Sequence, residues 1–227
     1  MKYVTETPYN KRNFHIDTFE VNSTSEVALK ETDCYAGHYT LKVSPGENPK
    51  PLLQHGFYYM DTLLRPVCEK GDLVHVTHED TVISTDYDPK DILRIAETVF
   101  KQGRFHRDFN IPSRMADVRY RNWVGDLIEK ELLFALYFNG EVAGFYGYEG
   151  NNVLLLGIDE RFRGQGLAKY FTSAGCLKQF NQGHDKLQTS ISASNTASLN
   201  LFYMLGFRLK GAVDVYHKLT GPAPKEV

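Results

Sequence analysis

From residue 88 to residue 219 the apolar and polar positions repeat with periods that name the elements. "DPKD" (88–91) offers Asp88 as an N-cap, Pro89 at the first helical position and Asp91 in the first turn. Ile92, Ile95, Ala96 and Val99 then recur at helical spacing. A second helix is expected over 113–130, with Tyr120, Trp123, Val124, Leu127 and Ile128 on one face. "LLFALYFNGEVAGFYGYEG" (132–150) reads as two strands around Asn139-Gly140, a strong hairpin signal. "NNVLLLGID" (151–159) is apolar at successive positions, so a strand buried on both faces is expected. A helix over 166–180 follows, then an alternating strand over 186–193. A short helix capped by Asn195 and ended by Gly206 comes next, and one or two strands over 207–219 close the pattern. The order α-α-β-β-β-α-β-α-β predicts a mixed α/β domain.

Residues 1–87 are less regular. "HYTLKV" (38–43) and "YYMDTLLRPV" (58–67) read as strands, and the prolines of "NPKPLLQHGF" weaken a helix between them. The stretch 39–64 can be laid without gaps on 189–214. Gly56-Phe57 then falls on Gly206-Phe207, Leu41 on Ile191 and Val43 on Ala193, which suggests a degenerate internal repeat. The plainer alternative is a small strand-rich domain. The expected boundaries are a small N-terminal domain over 1–72 with a linker near "EKGD", a main domain over 73–220, and a frayed tail over 221–227.

The 227 residues allow one large or two small domains, and 42% hydrophobic with 13% aromatic residues excludes a disordered chain. The balance of 26 basic against 28 acidic residues offers nothing to steer the protein onto nucleic acid or an anionic membrane. The start lacks a signal-peptide apolar segment, and no run approaches the roughly 18 apolar residues that span a bilayer. Cys34, Cys68 and Cys176 are odd in number and far apart, which argues against a disulfide framework or a CxxC metal site. Cys176 reads as a small buried hydrophobe. A reducing, cytoplasmic setting is expected.

The candidate chemistry lies in "RFRGQG" (161–166), set between a strand and a helix. Gly164 and Gly166 permit positive φ and close approach of a ligand to the backbone. The helix mouth adds orphan N–H donors and its positive dipole end, and Arg161 and Arg163 add charge, so the stretch reads as a diphosphate cradle. A dinucleotide fingerprint fails because the third glycine and the ribose-binding acid are missing. A Walker loop fails because no Gly-Lys-Ser/Thr is present.

The run Arg161-Phe162-Arg163-Gly164-Gln165-Gly166 resembles the acyl-CoA loop of the GNAT superfamily of N-acetyltransferases. The two preceding helices, the hairpin, the following strand and "ASNTASLNLFYMLGF" (193–207) resemble the rest of that fold in order. The resemblance implies a mixed, mostly antiparallel α/β sheet with flanking helices and a parallel strand pair that splays apart. It also implies acyl-CoA as co-substrate, acetyl or a longer acyl such as hydroxybutanoyl, with no metal. The backbone of Leu156 and Ile158 would pair with the pantetheine arm. The amides of Arg163, Gly164, Gln165, Gly166, Leu167 and Ala168 would hold the pyrophosphate, with Asn195 touching the pantetheine and Phe202 at the end of the pocket. Chemistry would be direct attack of a neutral amine on the thioester, an amide N–H stabilising the oxyanion.

Many relatives carry a tyrosine where this chain has Phe202. Tyr203 is next door but points about 100° away on a helix, so it is expected in the core. No carboxylate within 151–158 offers a general base, which favours an amine of low pKa. No catalytic side chain is assigned.

For the acceptor, residues 99–128 resemble the corresponding region of the TDP-fucosamine acetyltransferases, nucleotide-sugar N-acyltransferases that place a truncated GNAT-like segment before the main domain. That likeness implies a TDP-linked 3- or 4-amino-dideoxyhexose held by Arg104, His106, Arg107, Tyr120 and Trp123, cations for a diphosphate and rings for a base or hexose. Structural duties for His106 and Trp123 are an equal alternative. Other small amines, a protein amine, and a non-catalytic acyl-CoA-binding protein stay open as readings. The partners implied are a small-molecule substrate, neither nucleic acid nor membrane, and a homodimer that is allowed but not required.

Overall fold

A computed structural model describes residues 2–101 and 103–226 of the chain. It begins with β1 (Val4–Glu6), α1 (Pro8–Phe14), β2 (Thr18–Val21), α2 (Glu26–Glu31), β3 (Gly37–Val43), α3 (Lys50–Gln54) and β4 (Tyr58–Glu69). After a 3-10 turn, β5 (Thr81–Ser84), α4 (Pro89–Val99), α5 (Arg104–Arg107) and α6 (Ser113–Glu129) follow. Then come β6 (Leu133–Phe138), β7 (Glu141–Glu149), β8 (Asn152–Ile158), α7 (Ala168–Asn181), β9 (Lys186–Thr189), β10 (Ile191–Ser192), α8 (Thr196–Met204) and β11 (Arg208–Thr220).

These elements fall into two compact units, one of residues 1–63, 102–119 and 212–227, the other of 64–101 and 120–211. The boundary expected at residue 72 therefore lies earlier, inside β4, and a second one lies inside β11. A boundary inside a strand produces no linker composition, which is why the sequence does not announce it. Residues 69–72, expected as a linker, form the end of β4 and a 3-10 turn.

In the first unit the strands lie in the order β1-β2-β3-β11-β4. β2 runs parallel to β3 over four consecutive pairs, Thr18↔His38 to Val21↔Leu41, and β11 pairs antiparallel with β3. Its core gathers Phe19, Leu29, Tyr39, Leu41, Leu52, Phe57 and Tyr216, beside a second cluster of Phe14, Phe105, Ile111 and Met115. α3 forms despite its prolines because Pro49 is the N-cap and Pro51 sits in the first turn, where no helical N–H is missed. β1, α1, β2 and α2 lie outside the sequence reading because each is six or seven residues at most, too short to display a period.

In the second unit the order is β4-β9-β8-β7-β6-β5, with β10 on β4. The β6–β7 turn places Asn139 at φ 49° and Gly140 at φ 79°, the geometry a two-residue hairpin needs. α4 and α6 pack Ile92, Ile95, Val124 and Leu127 on one side, against Phe145 among others. α7 and α8 bring Phe171, Cys176, Phe180 and Phe202 to a second cluster with Tyr146, so consecutive residues of β7 serve two cores. β8 is not buried on both faces as expected. Val153, Leu155 and Gly157 are buried, whereas Leu154, Leu156 and Ile158 are only half-buried. β5 carries no strong apolar alternation and is missing from the sequence reading, yet it completes the sheet beside β6.

Candidate active site

The parallel pair β8–β9 is held at only two positions, Asn152↔Gln188 and Val153↔Thr189. Beyond them the partners part. β9 ends at Thr189 while β8 runs on to Ile158. A bulge at Leu154 shifts the β7–β8 register, Tyr148 pairing with Val153 and Gly147 with Leu155. The Asp159 N–H donates to Ala143 O at 2.9 Å, so by ladder alternation the main-chain groups of Leu156 and Ile158 face away from β7, toward the open side. Ile158 O accepts a hydrogen bond from Arg163 Nε at 3.1 Å, which leaves its N–H as the outward group.

After β8 the chain turns through Glu160–Phe162, capped by Asp159, whose Oδ1 accepts from Arg161 N at 3.1 Å. Gly164 and Gly166 adopt φ of 76° and 72°, conformations that side-chain-bearing residues avoid. A Cβ at either would meet no atom within 4 Å, so the space beside both is open. Main-chain hydrogen bonding resumes with Tyr170 N donating to Leu167 O at 3.0 Å. Among the described residues the consecutive N–H groups of 164–168 have no acceptor, and the positive end of the 14-residue α7 lies behind them. This is the donor set that a pyrophosphate requires.

The two arginines have other duties. Arg161 is engaged by Asp159 and Glu141, each at 3.2 Å. Asp159 also receives Arg94 at 3.2 Å, and although burial pushes its carboxyl up, the hydrogen bonds from Arg161 and Arg94 hold it below the usual carboxylate range. Arg163 bonds the carbonyls of Ile158 and Val99 and braces the loop. Asn195 is the N-cap of α8, its Oδ1 accepting from Ser198 N at 3.1 Å.

Phe202 is buried and meets Phe207 edge-on at 4.8 Å. Tyr203, expected in the core, is instead 66% exposed, with the Arg208 guanidinium over its ring at 4.5 Å. The rotation of one helical position that removes it from the place of Phe202 carries it to solvent, not inward.

Where the strands begin to part, a cavity of about 330 Å³ is lined by Arg65, Trp123, Asn152, Val153, Leu154, Gln188, Thr189 and Ser190. Trp123 thus faces a space that a small molecule can fill. Tyr120 stacks between Phe100 (4.5 Å) and Trp123 (6.2 Å). Continuing the β4–β9 register from Val67↔Gln188 sets Arg65 opposite Ser190. The sequence reading missed Arg65, because nothing near it in the chain marks it as part of a site.

The other expected acceptor residues lie in the first unit. Arg107 pairs with buried Asp61 at 2.7 Å, His106 with Asp117 at 3.0 Å, and the Arg104 guanidinium covers the Phe105 ring at 4.9 Å. Tyr120 and Trp123 belong to the second unit, so the five expected residues are divided between the two.

The first unit also buries a cluster the sequence does not reveal: His38, Asp108 and His217, with ligand atoms within 4.8 Å of one another. Asp108 Oδ2 accepts from His38 Nε2 at 2.8 Å and His217 Nδ1 at 2.7 Å, while Oδ1 accepts from Tyr58 OH and Asn110 N, both at 2.9 Å. Four donors converge on the Asp108 carboxylate, while His217 Nε2 is buried with no hydrogen-bond partner. Burial alone would raise the Asp108 carboxyl, but the two imidazoles outweigh it and hold it far below the ordinary value. Burial lowers His217 to about 3, against the pull of Asp108.

A parallel pair that opens beside a glycine turn at a helix mouth fits an acyl-CoA-dependent N-acyltransferase. Residues 96–207 match the model of the acetyltransferase (GNAT) family, and the chain belongs to that family. The fold is shared with a GCN5-related N-acetyltransferase from Sphaerobacter thermophilus, at TM-score 0.64 and 13% identity over 98% of this chain and 78% of that one. A GCN5-related N-acetyltransferase from Kribbella flavida matches at TM-score 0.59 and 12% identity, covering 90% and 82%. A tandem GNAT protein from the clavulanic acid biosynthesis pathway matches at TM-score 0.53 and 12% identity, covering 90% and 76%. No protein of curated function matches the chain. No helix among the described residues is long and apolar enough to cross a membrane.

Proposed function

We propose that this protein moves an acyl group from acyl-CoA to the amine of a small molecule by direct attack on the thioester. The observation that carries the reading is the run of unsatisfied N–H groups at 164–168, next to a strand edge that β9 leaves open. The amides of Gly164, Gln165, Gly166, Leu167 and Ala168 bind the pyrophosphate. The N–H of Leu156 and Ile158 and the carbonyl of Leu156 pair with the pantetheine as a further strand would, and Leu154, at the bulge, turns main-chain groups toward the thioester. An N–H there stabilises the oxyanion as the amine nitrogen bonds to the carbonyl carbon and the C–S bond then breaks, with the thiolate taking up the proton that the acylated nitrogen gives up.

Phe202 supports a mechanism without a side-chain acid, since its ring packs on Phe207 in the core. A thiol of pKa near ~8.5 is a tolerable leaving group unaided. Asp and Glu are missing from the cavity lining, so the amine must arrive neutral. Acetyl-CoA with a panel of amines is expected to release free thiol, and calorimetry is expected to give one CoA site per chain. A chain that does not bind CoA overturns the reading. Binding without turnover on any amine leaves a non-catalytic acyl-CoA-binding protein.

A nucleotide-linked amino sugar is the second reading for the acceptor, favoured by the ring series Phe100–Tyr120–Trp123, which suits a base or hexose. Against it, the cations expected to take the diphosphate are held by Asp61, Asp117 and Phe105.

A further inference from the structure

The cavity at the fork of β8 and β9 has an asymmetry that bears on the acceptor. Its lining carries one charged side chain, Arg65, and no carboxylate. Arg65 is exposed at the mouth of this half-open space, and among the described residues no acid or carbonyl engages its guanidinium, whereas Arg94, Arg107, Arg121 and Arg161 each meet an acid. The rest of the wall is uncharged: the Trp123 ring and the aliphatic Val153 and Leu154, with the amide and hydroxyl groups of Asn152, Gln188, Thr189 and Ser190. A guanidinium beside an apolar wall fits a carboxylate taken up bidentately, with an apolar body against the indole. At about 330 Å³ the cavity stands at the low end of the ~300–1,000 Å³ typical of small-molecule sites, and it has room for a ligand of amino-acid size.

We propose that the acyl acceptor is an amine bearing a carboxylate, of amino-acid size, which Arg65 binds while Trp123 packs its apolar portion. The inference rests on the acyltransferase reading and names the acceptor class of the same site. It also excludes polyamines, because an unpaired guanidinium repels a polycation.

The chain has a single tryptophan, so its fluorescence reports directly on this cavity. Purified full-length protein, saturated with CoA, is titrated with L-phenylalanine and L-leucine, with the primary amide of each, with spermidine and with thymidine diphosphate. The two acids are expected to shift the emission and to bind about ten-fold or more tightly than their amides, the scale of a lost bidentate contact. Arg65→Gln is expected to bring acid and amide within about two-fold, with Arg65→Lys between, while the Kd for CoA stays within about two-fold. In turnover the same variant raises KM for the acid more than it lowers kcat.

Equal binding of acid and amide overturns the proposal, as does a preference that survives Arg65→Gln. So does a response to thymidine diphosphate without one to any carboxylate. Silence toward every acid with CoA bound normally also rejects it, and leaves the acyltransferase reading standing. Failure of the wild-type chain to bind CoA removes that reading itself, so the two failures are distinguishable.

Discussion

The two units repeat one sequence of elements and differ where the cofactor would enter. In the first, β2–α2–β3–α3–β4 gives a parallel strand pair, then a short helix and a long strand. In the second, β8–α7–β9–α8–β11 does the same, with the two-residue β10 following β9. The agreement reaches the helix ends: Gly56 and Gly206 both take positive φ, and Phe57 N and Phe207 N donate to Leu52 O and Phe202 O, each at 3.0 Å. These are the residues that the ungapped alignment of 39–64 on 189–214 superposes. The parallel pairs differ. β2 and β3 stay bonded over four positions, and the turn into the six-residue α2 contains no glycine. β8 and β9 part after two positions, and the turn into α7 contains two glycines. The second unit therefore withholds hydrogen bonds from an edge of the kind that the first unit closes.

The largest effect separates the two equivalent glycines. A Cβ on Gly206 would stand 2.0 Å from Asp72 O, whereas one on Gly56 meets only Lys218 Cε at 3.9 Å. Gly206→Ala is expected to cost more than about 3 kcal/mol, since backbone must move as well as φ. Gly56→Ala bears only the left-handed penalty of about 1–2 kcal/mol. Urea denaturation of both variants checks this, and equal midpoints would show that the likeness extends to the packing around each turn.

Next in size is the cradle itself. A Cβ at Gly166 meets nothing within 4 Å, but Gly166→Val strains a φ of 72° and fills the space beside the amides. Affinity for CoA is expected to fall about 100-fold, roughly 2.7 kcal/mol. Ser23→Val, in the corresponding turn of the first unit, is expected to leave the CoA Kd unchanged in the same calorimetric assay.

Acid is expected to distinguish the units by a smaller amount. His217, with its pKa lowered to about 3 from 6.5 by burial, is protonated more readily in the unfolded chain. Its contribution is therefore intact above pH 6.5 and shrinks as pH falls toward 3. Asp108, also lowered, adds a loss in the same direction below its ordinary value of 3.8. Hydrogen exchange at pH 7 and pH 4.5 should show the amides of β3 and of residues 214–220 losing protection before those of β7 and β8. Each kcal/mol lost lowers Tm by about 2–4 °C in a chain of this size. His217→Asn should flatten the dependence between pH 6.5 and 4.5 at a cost in stability at neutral pH.

The second unit was legible because its elements are long enough to show a period. The capped start of α4, the Asn139-Gly140 hairpin and the "RFRGQG" turn each have a local physical cause that a sequence displays. What stayed hidden depends on long-range pairing. β4 and β11 each serve both units, so no compositional break marks the boundary. His38, Asp108 and His217 lie 70 and 109 residues apart along the chain; β3–β11 pairing brings the two histidines together, and Asp108 reaches them from the end of α5. Arg65 enters its cavity through the β4–β9 pairing, and no residue beside it suggests a site. Arg107 and His106 looked like ligand residues because their acidic partners, Asp61 and Asp117, are not adjacent to them in sequence.

The smallest effect expected concerns the tyrosine beside Phe202. Tyr203 is the phenol next in sequence to Phe202, the position where many relatives hold a proton donor, so its hydroxyl is the first side-chain acid to test. Its ring lies at the surface under Arg208, and the neighbouring Phe202 points into the core. Consecutive helical residues diverge by about 100°, so no rotamer change brings both to one site. Tyr203→Phe keeps the ring and its cation contact and removes only the hydroxyl, so kcat is expected to change less than about two-fold at any pH. A loss of about ten-fold or more that shrinks as pH rises above 8 would mean that the phenol protonates the leaving thiolate, and that α8 rotates by one position when acyl-CoA binds.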